Sequence, residues 1–168
     1  MLSTGKLLLF IVSFFNIGLI SKKMPGTLGS IAATGIAILL PKSAVLSLCI
    51  SLGLFIIGVV CSNAYIAKYQ RKSDKDPGYI VIDEACGIFF GYAILLFANL
   101  FTTLDIIINF LLFRLFDILK PFPIKNIEKH CKSHSKLIGF GIMIDDVLAI
   151  IIATILQITV TCLSRMVL

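Results

Sequence analysis

Two acidic doublets, Asp83-Glu84 and Asp145-Asp146, stand at the mouths of long apolar runs. A charged side chain in lipid costs roughly 2.5–3.5 kcal/mol at a helix centre and less near the interface. Adjacent helical residues point about 100° apart, so one acid of a doublet can hold a metal while the other orients it or takes a proton. Hard carboxylate oxygens without a convincing Cys/His set suit Mg²⁺ better than zinc. Arg114, Asp117 and Lys120 follow at intervals of three, which puts them on one helix face; Pro121 and Pro123 should end that helix. Arginine forks onto phosphate, and lysine adds a mobile point charge. The segment Pro25-Gly26-Thr27-Leu28-Gly29-Ser30 reads as a turn opening a helix. There Thr27 or Ser30 can cap, and free N–H groups with the helix dipole favour an anion. Each motif has a plainer reading: a helix start, acids reaching out to water, a self-neutralising Arg–Asp pair, or acids favoured by a helix dipole. Together, a carboxylate–metal cluster beside Arg and Lys at headgroup level reads as phosphoryl chemistry on a lipid.

Other polar residues read more simply. His130, Cys131 and His134 lie in a Lys-rich stretch that is expected to be a solvated loop rather than a metal site. Asp105, flanked by Thr102 and Asn109, reads as an interfacial cap or a packing polar residue. Gly87 and Gly91 form a G-x-x-x-G face for close helix approach. The five cysteines are odd in number, and four lie in apolar runs, so they form no disulfide framework.

The elements that must position these groups are apolar. In 168 residues, 58% are hydrophobic and 14% charged, with a mean hydropathy of +1.04. A water-soluble core of this size could not hide so much apolar surface, and disorder is excluded. Apolar runs cover roughly 7–20, 27–40, 44–67, 80–101, 104–119 and 138–164. The runs 44–67, 80–101 and 138–164 are long enough to span; 27–40 and 104–119 are short, and 7–20 lies in the interface or re-enters. No small-x-small cleavage site follows the first run before Lys22-Lys23, so it is expected to stay in the chain. The expectation is one all-α domain over 1–168: a polytopic membrane bundle of about four to six embedded helices. Alternate threading of 27–40, 44–67, 80–101, 104–119 and 138–164 gathers twelve of the fifteen basic residues on one side, leaving out Lys6, Lys42 and Arg165. That side should be cytoplasmic. All acids but Asp105 fall at or near it, so the polar site is expected at the cytoplasmic face. The net charge of +6 is read as cytoplasmic loops against anionic headgroups, not as nucleic-acid binding.

In four segments the chain resembles the bacterial phosphatidylglycerophosphatase A family: P-G-T-L-G-S (25–30), D-P-G-Y-I-V-I-D-E-A-C-G (76–87), F-R-L-F-D-I-L-K-P-F-P-I (113–124) and G-F-G-I-M-I-D-D-V-L-A (139–149). Their order and spacing agree across about residues 15–155. The resemblance implies a multi-pass, Mg²⁺-dependent enzyme of the bacterial inner membrane that removes the terminal phosphate of phosphatidylglycerophosphate to give phosphatidylglycerol. By position, Asp83, Glu84, Asp117, Asp145 and Asp146 are the acids of the family pattern. Arg114 and Lys120 are its basic residues, and Gly26, Thr27, Gly29 and Ser30 its turn. The metal is expected on a subset of Asp83, Glu84, Asp145 and Asp146, and the phosphate on Arg114, Lys120 and the turn. Asp117 is expected to fix Arg114, join the metal site or act as base. Family members often carry Pro where Lys22 stands and Gly where Ile150 stands.

Motifs of other phosphatases are missing: no Cys is followed six positions later by Arg, and there is no D-x-D-x-[TV] segment. The rival reading from another class is an ion or proton carrier using intramembrane carboxylates. It predicts acids spread through the membrane depth, whereas these crowd one face.

Overall fold

The computed structural model describes residues 4–69, 77–134 and 137–167. Arg71, Lys72, Asp74, Lys75, Asp76 and Lys136, which enter the charge argument, lie outside them. The described residues form seven α-helices and no strand: α1 (Thr4–Val12), α2 (Pro25–Leu39), α3 (Ala44–Tyr69), α4 (Ile82–Phe97), α5 (Thr103–Leu119), α6 (Ile124–Ser133) and α7 (Ile138–Val167).

Helix α4 is the centre. Nearly every residue from Ile82 to Leu95 is buried, and α2, α3 and α7 pack around it. The G-x-x-x-G face makes this possible. A Cβ on Gly87 would meet the Phe113 ring at 3.3 Å and the Asp146 carbonyl oxygen at 3.4 Å, while one on Gly91 would meet Ile150 at 2.5 Å. Ile150 thus fills the space that Gly91 leaves. Polar ties fix the register between helices. Ser51 on α3 donates to the Cys86 carbonyl at 3.0 Å, and Asn63 Oδ1 accepts from the Gly139 N–H at 2.8 Å. Asn109 on α5 donates to Thr154 Oγ1 and Gln157 Oε1 on α7, both at 3.0 Å. Thr102 and Asp105 form a reciprocal capping box that starts α5, as expected of an interfacial cap.

Paired contacts set the directions. Helix α3 runs against α7, since Gly58 and Asn63 meet Met143 and Gly139. Helix α5 also runs against α7, since Asp105 and Asn109 meet Gln157 and Thr154. Helix α4 runs with α7, since Gly87 and Gly91 meet Asp146 and Ile150. Helix α2 runs with α4, since Gly26 meets Glu84 and Thr34 shares a cavity with Tyr92, which completes the alternation that the threading requires. The first run turns back on itself. Gly5 on α1 abuts the Tyr69 ring, and the Val12 carbonyl accepts from the Val81 N–H at 2.9 Å. Phe14, Phe15 and Asn16 then reverse the chain with φ of 47°, 60° and 67°, a left-handed path unusual for such residues. A single 3₁₀ turn at 17–19 follows and leads back to α2. Lys6, expected elsewhere, therefore joins the basic end of the bundle.

Two findings correct the sequence reading. Two described helices, α3 and α7, have the length and apolar composition to cross a membrane, fewer than the four to six expected. The central α4 has 16 residues, about 24 Å at helical rise against a hydrocarbon core of about 30 Å; the apolar run 80–101 is broken before and after it by non-helical backbone. The Lys-rich stretch expected as a solvated loop forms α6, which packs on α7. Its Cys131 is buried and takes the space above Gly141.

Candidate active site

Four helix ends meet at the basic end of the bundle. The first turn of α4 brings Asp83 and Glu84, and α7, about two turns from its start, brings Asp145 and Asp146. The last turns of α5 bring Arg114 and Asp117, with Lys120 as its cap. The start of α2 brings Gly26 and Ser30. The two doublets are 61 residues apart in sequence, yet one oxygen from each of Asp83, Asp145 and Asp146 lies within 4.8 Å of the others. All three residues are at most 9% exposed.

Glu84, expected in the metal set, lies outside this triad and turns toward α2 and α5. Its Oε1 is 3.7 Å from Arg114 Nη1 and sits against Gly26, where any Cβ would collide with it and would lie 3.2 Å from Arg114 Nη2. Gly26 is therefore glycine because a carboxylate and a guanidinium close on the helix start. Arg114 Nη1 also reaches Asp117 Oδ2 at 2.8 Å, the i,i+3 pairing read from the sequence, and donates to Ser30 Oγ at 3.3 Å.

Ser30 and Thr27 do not cap α2. Pro25 is the first helical residue, Met24 is the cap residue without a side-chain bond, and the helix opens two residues before Thr27. Ser30, one turn inside, donates to the Gly26 carbonyl at 2.9 Å. In the first turn the Leu28 N–H is taken by the Met24 carbonyl at 3.2 Å, while those of Gly26 and Thr27 have no carbonyl within the helix to bond. Gly29 does not line the site; it lets α2 approach Val81, whose Cβ would be 2.8 Å from a Cβ there.

Lys120, with a left-handed φ of 41°, bonds to Asp145 and, at 3.0 Å, to Glu128. Burial alone would lower its pKa. Asp145 and Glu128 outweigh that and hold it above the ordinary lysine range, so it stays charged. Glu128 is a site residue that sequence reading missed. It lies beyond two prolines on a helix taken for a loop; its one signal is an acid within a run of lysines. His130 and His134 stand with ring centroids 5.0 Å apart on the exposed face of α6, while Cys131 points into the bundle, so the three do not form a metal set.

The charges do not balance. Among the described residues, six carboxylates (Asp83, Glu84, Asp117, Glu128, Asp145, Asp146) share two cations, Arg114 and Lys120. Asp146 faces Asp83, Asp117 and Asp145. Glu84 Oε2 and Asp146 Oδ2 are buried without a hydrogen-bond donor. Like charges this close in a low-dielectric site repel strongly, and only a cation or protons can relieve them. Three hard oxygen donors in mutual reach fit Mg²⁺. Arg114 Nε, also buried without an acceptor, leaves a donor free for an anion.

The family model described as phosphatidylglycerophosphatase A matches residues 10–161. A phosphatidylglycerophosphatase A of Haemophilus influenzae is 38% identical over 143 residues, covering 84% of this chain and 80% of its own length. No solved structure matches the chain.

Proposed function

Because the chain belongs to the phosphatidylglycerophosphatase A family and is a phosphatase, we propose that it hydrolyses phosphatidylglycerophosphate with Mg²⁺ held by Asp83, Asp145 and Asp146. The observation that carries the reading is the meeting of these three buried carboxylates within 4.8 Å, next to cations suited to phosphate. Bound there, Mg²⁺ would supply Lewis-acid polarisation of phosphoryl oxygens. The chain's own residues do the rest. Arg114, held by Asp117 and Ser30, presents its guanidinium to the terminal phosphate. Lys120, held by Glu128 and Asp145, offsets negative charge that grows on the phosphoryl oxygens. The first-turn N–H groups of α2 complete the anion cradle. Water attacks phosphorus, the bond to the glycerol oxygen breaks, and that oxygen leaves as an alcohol after taking a proton. Asp117 serves as a positioning residue for Arg114 in this scheme.

The setting is a bilayer. Only 22% and 28% of the most apolar stretches of α3 and α7 is buried, unlike core helices of soluble proteins, and Leu52, Ile56, Ile57 and Val60 lie exposed along α3. Surfaces of this kind belong in lipid. We read α3 and α7 as spans and α1, α2, α4 and α5 as shorter embedded helices, with the site at the cytoplasmic face of the bacterial inner membrane.

Purified protein in detergent, given phosphatidylglycerophosphate, should release phosphate with Mg²⁺ and not with chelator. Release that survives both Asp83→Asn and Asp146→Asn would remove the site assignment. Absence of release from the intact protein, with cation flux in vesicles instead, would favour the carrier reading.

A further inference from the structure

A cleft of about 390 Å³ opens between α2 and α5, walled by Ile31, Thr34, Ile38, Tyr92, Ile107 and Phe110. Its volume is that of a pocket which encloses a small ligand. The two helices are tied at the site end by the Arg114–Ser30 hydrogen bond; the next turns of each line the cleft. The far end is closed by Phe101, with the Lys42 ammonium 4.7 Å from its ring centroid. From Ser30 to Ile38 the cleft floor runs eight residues, about 12 Å at helical rise. Ile31, Ile38 and Ile107 are each about half exposed at its rim, so it opens sideways.

Tyr92 distinguishes the cleft from an ordinary lipid-facing groove. Its ring is 4% exposed and it lines the wall, yet its hydroxyl has no hydrogen-bond partner. A buried hydroxyl without a partner is costly; a ligand carrying a polar group beside an apolar chain would satisfy it. Continuity with the phosphate-holding residues then limits the choice of occupant.

We propose that this cleft holds one acyl chain of the lipid substrate, entering from the bilayer side with its ester carbonyl accepting from the Tyr92 hydroxyl while the terminal phosphate lies at Arg114 and Lys120. The assignment rests on the functional reading above. It makes the enzyme select long-chain lipid phosphates over short ones through α2 and α5, apart from the chemistry at the acids.

The test compares phosphatidylglycerophosphate carrying two palmitoyl or two hexanoyl chains in mixed micelles. The unaltered protein should show a higher kcat/KM for the long-chain lipid. Ile107→Trp, which fills the cleft, should shrink that preference by about tenfold or more, the worth of a few buried methylenes. Ile155→Trp on the exposed face of α7 should leave the preference as it was. An unchanged preference in Ile107→Trp would overturn the proposal, whereas failure of the unaltered protein to hydrolyse either lipid would overturn the functional reading instead. A second measurement needs no catalysis. Benzoylphenylalanine placed at position 107 in bilayer vesicles should couple under light to a lipid chain. Coupling to a second copy of the chain, or to no lipid, would overturn the proposal even if Ile107→Trp failed to fold.

Discussion

At the scale of single residues, the site is governed by an excess of negative charge. Removing the carboxylate of Asp83 or Asp146 relieves repulsion, so Asp83→Asn and Asp146→Asn should fold at least as stably as the parent while losing activity, whereas Asp145→Asn also breaks the ion pair with Lys120 and should lose stability as well. The expected loss in kcat is about 100-fold or more for each, the scale on which removing one preorganised charge-stabilising group acts; thermal unfolding and phosphate release measured on the same samples check both halves. Arg114→Lys keeps the charge but cannot fork between Asp117 and Ser30. Its kcat/KM should fall roughly 10- to 100-fold, with KM carrying much of the loss if the guanidinium binds ground-state phosphate. Glu128→Gln should act through Lys120: in a double-mutant cycle with Lys120→Met the two effects on kcat/KM should be non-additive by about 0.5–3 kcal/mol. Additive effects would separate Glu128 from the site.

Helices decide which residues can meet. The starts of α2, α4 and α7 and the end of α5 converge because those helices alternate in direction and pack through small residues. Gly26→Ala tests this convergence directly. A methyl there collides with Glu84 Oε1 and crowds Arg114, so activity should fall about tenfold or more while helix content by circular dichroism is kept; full activity would mean that the α2 start does not close on the site. Deeper, Asn109→Ala leaves Thr154 and Gln157 with fewer partners between α5 and α7 and should cost about 1 kcal/mol in detergent unfolding. Much of this was legible in the sequence. The period-three spacing of Arg114, Asp117 and Lys120 announces a shared face, the prolines end α5, and Asp83-Glu84 flags the start of α4, whereas Asp145-Asp146, expected at a helix start, lies about two turns inside α7. What was not legible depends on tertiary contact. No spacing shows that Glu84 reaches Gly26 and Arg114, since packing between helices chooses its partners. The Lys-rich composition of α6 hid a helix whose few apolar residues suffice against α7. Run length overstated α4, because hydropathy does not sense where helical hydrogen bonding stops.

For the whole molecule, the orientation we propose from charge and hydropathy puts the basic, acid-lined end at the cytoplasmic face and the bundle in lipid. Single cysteines at Ser43 and Lys129, in a background without the natural five, should be labelled by an impermeant maleimide from opposite sides of oriented vesicles; labelling of both from one side would contradict the alternation of α3 and α5 across the bilayer. In the proposed function Asp83, Asp145 and Asp146 bind one divalent ion together. Electron paramagnetic resonance of Mn²⁺ added to the protein in lipid vesicles reads this most directly. The intact chain should bind one Mn²⁺ that Mg²⁺ displaces, and Asp83→Asn, Asp145→Asn and Asp146→Asn should each abolish it. Mn²⁺ bound equally well by all three variants would contradict it.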